Sequence, residues 1–304
     1  KIEVPLLLID DEADNASINT NSPDSDPTAI NESIRSILGI FDRSTYVGVT
    51  ATPFANIFID PETQDEMLGD DLFPRDFIYA LEAPTNYFGP TALFLQEESE
   101  QEFLREIDDA EPVLPLVHKI THDVSGLPPS LSDAIAAFLV GNAIRDLRGE
   151  GPTHRSMLIN VSRFTAIQNS VEQLVLDELL MFKNDIRNFS RLPESEALKS
   201  PRLARLHKVW EKEYSDCGIS WKEIQLALMS AVLPIESRAI NQTTGARSLD
   251  FRKYDETGLR VIAVGGNSLS RGLTLEGLFV SYFHRNSQMY DTLLQMGRCF
   301  GYRD

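Results

Sequence analysis

Leu6-Leu7-Leu8-Ile9-Asp10-Asp11-Glu12-Ala13-Asp14 stands near the start of the chain. An apolar run that stops at a cluster of carboxylates reads as a buried parallel strand. The end of such a strand presents its acids to the crevice where open α/β sheets bind ligands. Asp-Glu at that place suits nucleotide hydrolysis, with one carboxylate holding Mg²⁺ and the next polarising the attacking water. The alternative is a strand followed by a solvated acidic loop, and the rest of the chain separates the two.

Outward from this stretch, 15–31 is a polar Asn/Ser/Asp/Pro loop. Ile30, Ile34, Ile37 and Leu38 then recur at helical spacing, and Thr45-Tyr46-Val47-Gly48-Val49 forms a β-rich run ending in Thr50-Ala51-Thr52-Pro53-Phe54. Strand, helix and strand over this distance make a βαβ unit, hence a parallel sheet. From 60 to 111 the chain is acidic and proline-punctuated, which predicts irregular structure and a solvated helix. The composition changes at Pro128-Pro129, where Ser130-Leu131-Ser132-Asp133 resembles a capping box. The domain boundary is expected there, giving units 1–128 and 129–304.

The second unit is again α/β. Met157 to Val161 reads as a buried strand, followed by an amphipathic helix through Ile167, Val171, Leu174, Leu179 and Phe182. Residues 184–256 form an insert whose first part is the most basic of the chain, with Arg187, Arg191, Lys199, Arg202, Arg205 and Lys208. It is either a solvated helical face or a nucleic-acid or partner surface. Strands follow over 260–266 and 278–283, and a helix is expected from about Gln288 to Gly297.

The 304 residues, 42% hydrophobic and 24% charged, are those of a globular chain with room for two domains. The apolar run from Val4 to Ile9 is too short to span a bilayer, and no secretory pattern is present. Cys217 and Cys299 give neither metal-site spacing nor a disulfide framework, so a cytoplasmic location is expected. The net charge of −18 argues against tight duplex binding by the whole surface while leaving room for a local basic groove. The chain starts inside a strand-like run without an initiator Met, which reads as a piece of a longer polypeptide.

Four segments stand in order: Asp11-Glu12-Ala13-Asp14, Thr50-Ala51-Thr52, Ser270-Arg271-Gly272-Leu273-Thr274 and Gln295-Met296-Gly297-Arg298. This order resembles motifs II, III, V and VI of superfamily-2 helicases and translocases, and Met157 to Arg163 is similar to their motif IV strand. Thr50-Ala51-Thr52-Pro53-Phe54-Ala55-Asn56, the phrase from Gly265 to Leu278, and Gln295 to Arg298 with Gly301-Tyr302-Arg303 resemble the Z1 domain. That family is a helicase-like ATPase module of endonucleases in bacterial restriction and defence systems.

The resemblance implies an α/β fold of two RecA-like lobes with parallel sheets, of the P-loop NTPase type, the first lobe truncated, with ATP and Mg²⁺ as cofactors. Asp11 and Glu12 would serve the metal and the water, and Arg298, or Arg303, the γ-phosphate. Gln295 would belong to the same catalytic set. Asp14, Thr50, Thr52, Ser270, Arg271 and Gly272 would contact nucleotide or couple it to the lobe interface. The implied partners are DNA and other nuclease or defence subunits, with no membrane. The sequence contains no Gly-x-x-x-x-Gly-Lys-Ser/Thr loop. The expectation is therefore an ATPase in the full-length protein, with this chain inactive alone. The reading kept beside it is a non-catalytic protein-interaction module with a vestigial nucleotide site.

Overall fold

The computed structural model describes residues 1–15, 17–21, 26–50, 53–61, 64–65, 68–82, 84–89, 103–241, 249–266, 275–285 and 301–302. They form a mixed α/β protein with parallel sheets, divided into compact units at Pro84/Thr85.

In the first unit, β1 (Leu6–Asp11) and β2 (Ser44–Val49) pair in parallel from Leu6↔Ser44 to Asp11↔Val49, with α1 (Ala29–Ile40) as their crossover. The short helix α2 (Phe54–Ile57) and the antiparallel pair β3 (Gln64–Asp65) and β4 (Gly69–Asp70) follow. The parallel pairing matches the βαβ reading, but burial is one-sided: Leu7 and Ile9 are 59% and 64% exposed. Alternate side chains of β1 point to opposite faces, and the face that carries Leu7, Ile9 and Asp11 is exposed.

The helix α1 also turns a different face inward than its isoleucines suggest. Asn31 and Arg35 are buried while Ile30 and Ile37 are exposed. Asn31 Nδ2 donates to Ser17 O and Asp71 Oδ1, both at 2.9 Å, and Arg35 donates to the Gly69 carbonyl. Polar groups with such partners can be buried without the desolvation cost that would otherwise exclude them.

In the second unit, β5 (Tyr87–Phe88) pairs with a short C-terminal strand, and α3 (Pro129–Leu147) leads into β6 (Arg155–Asn160). The long helix α4 (Thr165–Phe189) is followed by α5 (Glu194–Ala197), α6 (Pro201–Glu213) and α7 (Trp221–Val232). The strands β7 (Glu236–Ile240), β8 (Arg260–Gly265) and β9 (Leu278–Phe283) complete a four-stranded parallel sheet in the order β7-β8-β6-β9. The C-terminal partner of β5 is β10 (Gly301–Tyr302).

Strand alternation sends Met157, Ile159, Ile262 and Val264 to one face of this sheet. There they meet Phe138, Leu139, Val171, Leu179, Phe182, Leu206 and Leu228 of the helices. Leu158, Val261 and Ala263 face a smaller cluster with Ile240, Leu249, Phe251 and Leu275. Every residue of β6 is buried, as a central parallel strand covered on both faces requires.

The segment 103–128 packs with the second unit, although the composition change places the expected boundary after it. Leu114 is fully buried in the helical core, and Arg105 reaches Glu213 at 2.7 Å. The capping reading at Ser130 is corrected as well. The N-cap of α3 is Pro128, with Pro129 in the first turn, and Asp109 of the incoming segment accepts from Ser130 N–H at 2.8 Å. A capping box does form at Ser220 and Glu223, where α7 begins. The helix expected over 288–297 lies outside the described residues.

The basic stretch is held largely by neighbours. Lys183 Nζ donates to Ile235 O at 2.6 Å, Arg202 pairs with Glu178 at 3.4 Å, and Arg205 with Asp133 at 3.3 Å. This favours an ion-paired helical face over a phosphate footprint. Changing Arg202, Arg205 and Lys208 together to Glu should lower stability by about 1 kcal/mol and leave the salt dependence of any DNA binding unchanged. Chemical unfolding and anisotropy titrations would check both; a shallower salt slope would restore the footprint reading.

Candidate functional site

The acidic turn is built at the carboxyl end of β1. Strand alternation separates its acids: Asp10 lies on the side of Leu6 and Leu8, while Asp11 follows the open side of Leu7 and Ile9. Asp10 Oδ2 accepts from the Tyr46 hydroxyl at 2.6 Å and from the Ser17 hydroxyl. Burial, and then the Asp10 carboxylate beside it, push the Tyr46 phenol above its ordinary range. Asp10 is thus occupied inside the unit, and Asp11 and Glu12 are left exposed to solvent.

Past the strand the backbone reverses. Glu12 has φ +61°, the single left-handed non-glycine among the described residues. A side-chain-bearing residue in that region costs on the order of 1–3 kcal/mol and persists where its surroundings enforce it. Here Ala13 N–H donates to Val49 O at 3.2 Å, Asn15 N–H to Glu12 O at 3.0 Å, and Asn56 Nδ2 to Ala13 O at 2.9 Å. Ala13 is 1% exposed and lies against Gly48, where a Cβ would stand 2.9 Å from the Ala13 methyl. Thr50 Oγ1 donates to Asp14 Oδ1 at 2.8 Å, joining the turn to the end of β2.

The turn therefore brings together Asp11, Glu12, Asp14 and Thr50. Thr52, Ser270, Arg271, Gly272, Gln295, Arg298 and Arg303 lie outside the described residues. No group of three or more His, Cys, Asp or Glu among the described residues could hold a metal ion. The donor set of Asp11 and Glu12 fits Mg²⁺, a hard ion that takes one or two carboxylates and completes its shell with water and phosphate oxygens.

A second polar site, not singled out in the sequence, lies at the carboxyl edge of the four-stranded sheet. The β6–β9 register sets Asn160 beside Phe283, and His284 N–H donates to Asn160 O at 3.0 Å. Arg163 and Arg285 lie in the loops just beyond the ends of these neighbouring strands. Arg163 lies 4.8 Å over the Phe164 ring. Burial, and then Arg163, hold the Arg285 guanidinium below its ordinary range.

The loop after β6 is fixed by a histidine from the 103–128 segment. His118 Nδ1 donates to Pro115 O at 2.6 Å, so its Nε2, 2.8 Å from Ser162 Oγ, accepts from that hydroxyl when the ring is neutral. His284 Nε2 donates to Leu114 O at 2.8 Å from the other side. At the end of β8, Gly266 allows a close approach, since a Cβ there would stand 2.6 Å from Ser162 O. Asn160 is fully buried, and neither atom of its side-chain amide has a partner among the described residues. Strand-end position was the sequence signal available for Arg163; nothing local marked His118 or Arg285.

Comparison with curated proteins and with solved structures gave no match. One family model, described as the Z1 domain, matches residues 130–304, more than half of the sequence. The chain belongs to the Z1 domain family.

Proposed function

We propose that this chain is the motor part of a DNA-directed, ATP-dependent restriction or defence endonuclease, with units of RecA-like type. Its chemistry would be Mg²⁺-dependent hydrolysis of ATP, used to move along or open DNA. The observation that carries the reading is the β1 turn. Asp11 and Glu12 are presented at a parallel strand end by a left-handed residue, and Asp14 is tied to Thr50. Bound Mg²⁺ would supply charge neutralisation at the β- and γ-phosphates. Asp11 would hold the metal, Glu12 would accept the proton of an attacking water, and Thr50 would link this turn to the end of β2. Membership of the Z1 family supports the same reading. Since the sequence holds no phosphate loop, turnover requires one supplied from elsewhere in the full-length protein.

The test on the chain itself is Mn²⁺ titration in the presence of ATP, followed by the loss of the free-ion electron paramagnetic resonance signal. Asp11→Asn should weaken binding about tenfold, the low end for loss of an interaction that supports a metal site. Tyr46→Phe, which removes a hydroxyl bonded to Asp10 and Ser17 and leaves Asp11 intact, should change it little. Equal Mn²⁺ affinity in the unaltered chain and Asp11→Asn contradicts the proposal. That outcome favours the interaction-module reading, to which the open apolar side chains Leu7, Ile9 and Val49 would then belong. No helix among the described residues is long and apolar enough to cross a membrane.

A further inference from the structure

We infer that Asn56 is the positioning residue of the acidic turn after β1. By holding the Ala13 carbonyl it keeps Glu12 in its left-handed conformation, and so fixes where Asp11 and Glu12 present their carboxylates. The use made of those carboxylates rests on the function proposed above; the hold itself does not.

The pivot of the turn is Ala13, which is gripped at three atoms. Its N–H donates to Val49 O at 3.2 Å, its carbonyl accepts from Asn56 Nδ2 at 2.9 Å, and its methyl lies against Gly48. The first and third grips come from β2, which is fixed by its parallel pairing with β1. The second comes from a side chain on another element, α2, and fixes the peptide that follows Ala13. Two more bonds are internal to the turn: Glu12 N–H donates to Asp11 Oδ1 at 3.1 Å, and Asn15 N–H to Glu12 O at 3.0 Å. They shape the turn without tying it to anything outside.

A glutamate at φ +61° stays there only where its surroundings enforce it. Released from Asn56, the peptide after Ala13 can rotate and Glu12 can relax out of the left-handed region, which swings both carboxylates. The Thr50–Asp14 bond secures the next residue and limits the movement without stopping it at Ala13. The amide of Asn56 is used through its donor: its Oδ1 is buried and has no partner among the described residues. Leaving that acceptor unpaired costs stability, so the bonded half of the side chain has to justify its place.

Two readouts on the whole chain test this. Hydrogen exchange of the Ala13 amide, followed by nuclear magnetic resonance, reports the turn without metal or nucleotide. Mn²⁺ titration with ATP reports its carboxylates. Asn56→Ala should speed Ala13 exchange by about three- to tenfold, what one hydrogen bond contributes. It should weaken Mn²⁺ binding by up to about tenfold, as loss of an outer partner of a metal site does, and add little to Asp11→Asn. Asn56→Leu, similar in size but without the donor, should match it. Glycine accepts the left-handed region without strain, so in a Glu12→Gly chain the further change Asn56→Ala should leave Mn²⁺ affinity nearly unaltered. A side chain that only anchors α2 would lower the unfolding midpoint in both backgrounds and leave the Mn²⁺ affinity of the folded chain alone. If Asp11→Asn leaves Mn²⁺ binding intact while Asn56→Ala still speeds Ala13 exchange, the hold is confirmed and the proposed function is what fails. The inference is overturned if Asn56→Ala leaves Ala13 exchange unchanged. It is equally overturned if Asp11→Asn weakens Mn²⁺ binding and Asn56→Ala does not, or if Asn56→Ala weakens it as much beside Glu12→Gly.

Discussion

Replacing Asp146 with alanine should destabilise the second unit by about 3–5 kcal/mol, the usual cost of removing one member of a buried charge cluster. Asp146 lies in the last turn of α3 and serves two strands at once. Its Oδ1 accepts from Arg155 Nη1 and from Arg260 Nη2, both at 2.7 Å, and its Oδ2 accepts from Arg260 Nη1 at 2.8 Å. Those arginines open β6 and β8 and are directly paired in register. Arg155 is fully buried, with further acceptors in the carbonyls of Asn142 at 2.8 Å and Glu150 at 3.1 Å.

Burial first, then Arg260, press the Arg155 guanidinium toward a lower pKa, and Asp146 opposes both. Without the carboxylate, two like charges remain side by side at the amino end of the sheet, one of them out of reach of water. Asp146→Asn keeps the shape and the acceptor oxygen, so its loss should be roughly half as large. Denaturant unfolding followed by circular dichroism measures both. A loss under about 1 kcal/mol for the alanine variant, the range of an exposed pair, would contradict this description of the cluster.

Much of the architecture was legible because parallel strands covered on both faces must be apolar along their length. The runs at 157–161, 260–265 and 278–283 became β6, β8 and β9, and the 3.6-residue stripe after Phe164 became α4. What escaped depended on partners distant in sequence. Asn31 and Arg35 turn inward because residues 69–71 receive their hydrogen bonds. Ser130 is held by Asp109 of the preceding segment instead of forming its own box, and Leu114 sits in an irregular stretch with no periodicity to betray its burial. The short strand β7, Glu-Ser-Arg-Ala-Ile, mixes charge with apolar residues as an edge strand can.

The candidate sites divide the same way. A carboxylate cluster at a strand end can be read locally, so Asp11 and Glu12 stood out. The different fate of Asp10 follows from alternation and from Tyr46 on the neighbouring strand. Asn160 and Phe283 belong to distant parts of the sequence, and the register of β6 against β9 makes them neighbours.

The central claim is that the β1 turn is a hydrolytic centre, and Glu12 carries its largest catalytic expectation. A residue that accepts a proton from the attacking water contributes roughly 10²–10⁴ in rate, or about 3–5 kcal/mol of barrier. Glu12→Gln retains side-chain length and the left-handed backbone enforced by Ala13, Val49 and Asn15, while removing the charge. It should leave the unfolding midpoint and the ATP affinity nearly unchanged. The deciding measurement is ATP turnover at saturating DNA and Mg²⁺, with a phosphate loop present in the polypeptide assayed, compared between the unaltered protein and Glu12→Gln. A fall of at least about 10² with unchanged affinity is the predicted result; equal turnover in the two proteins would contradict it.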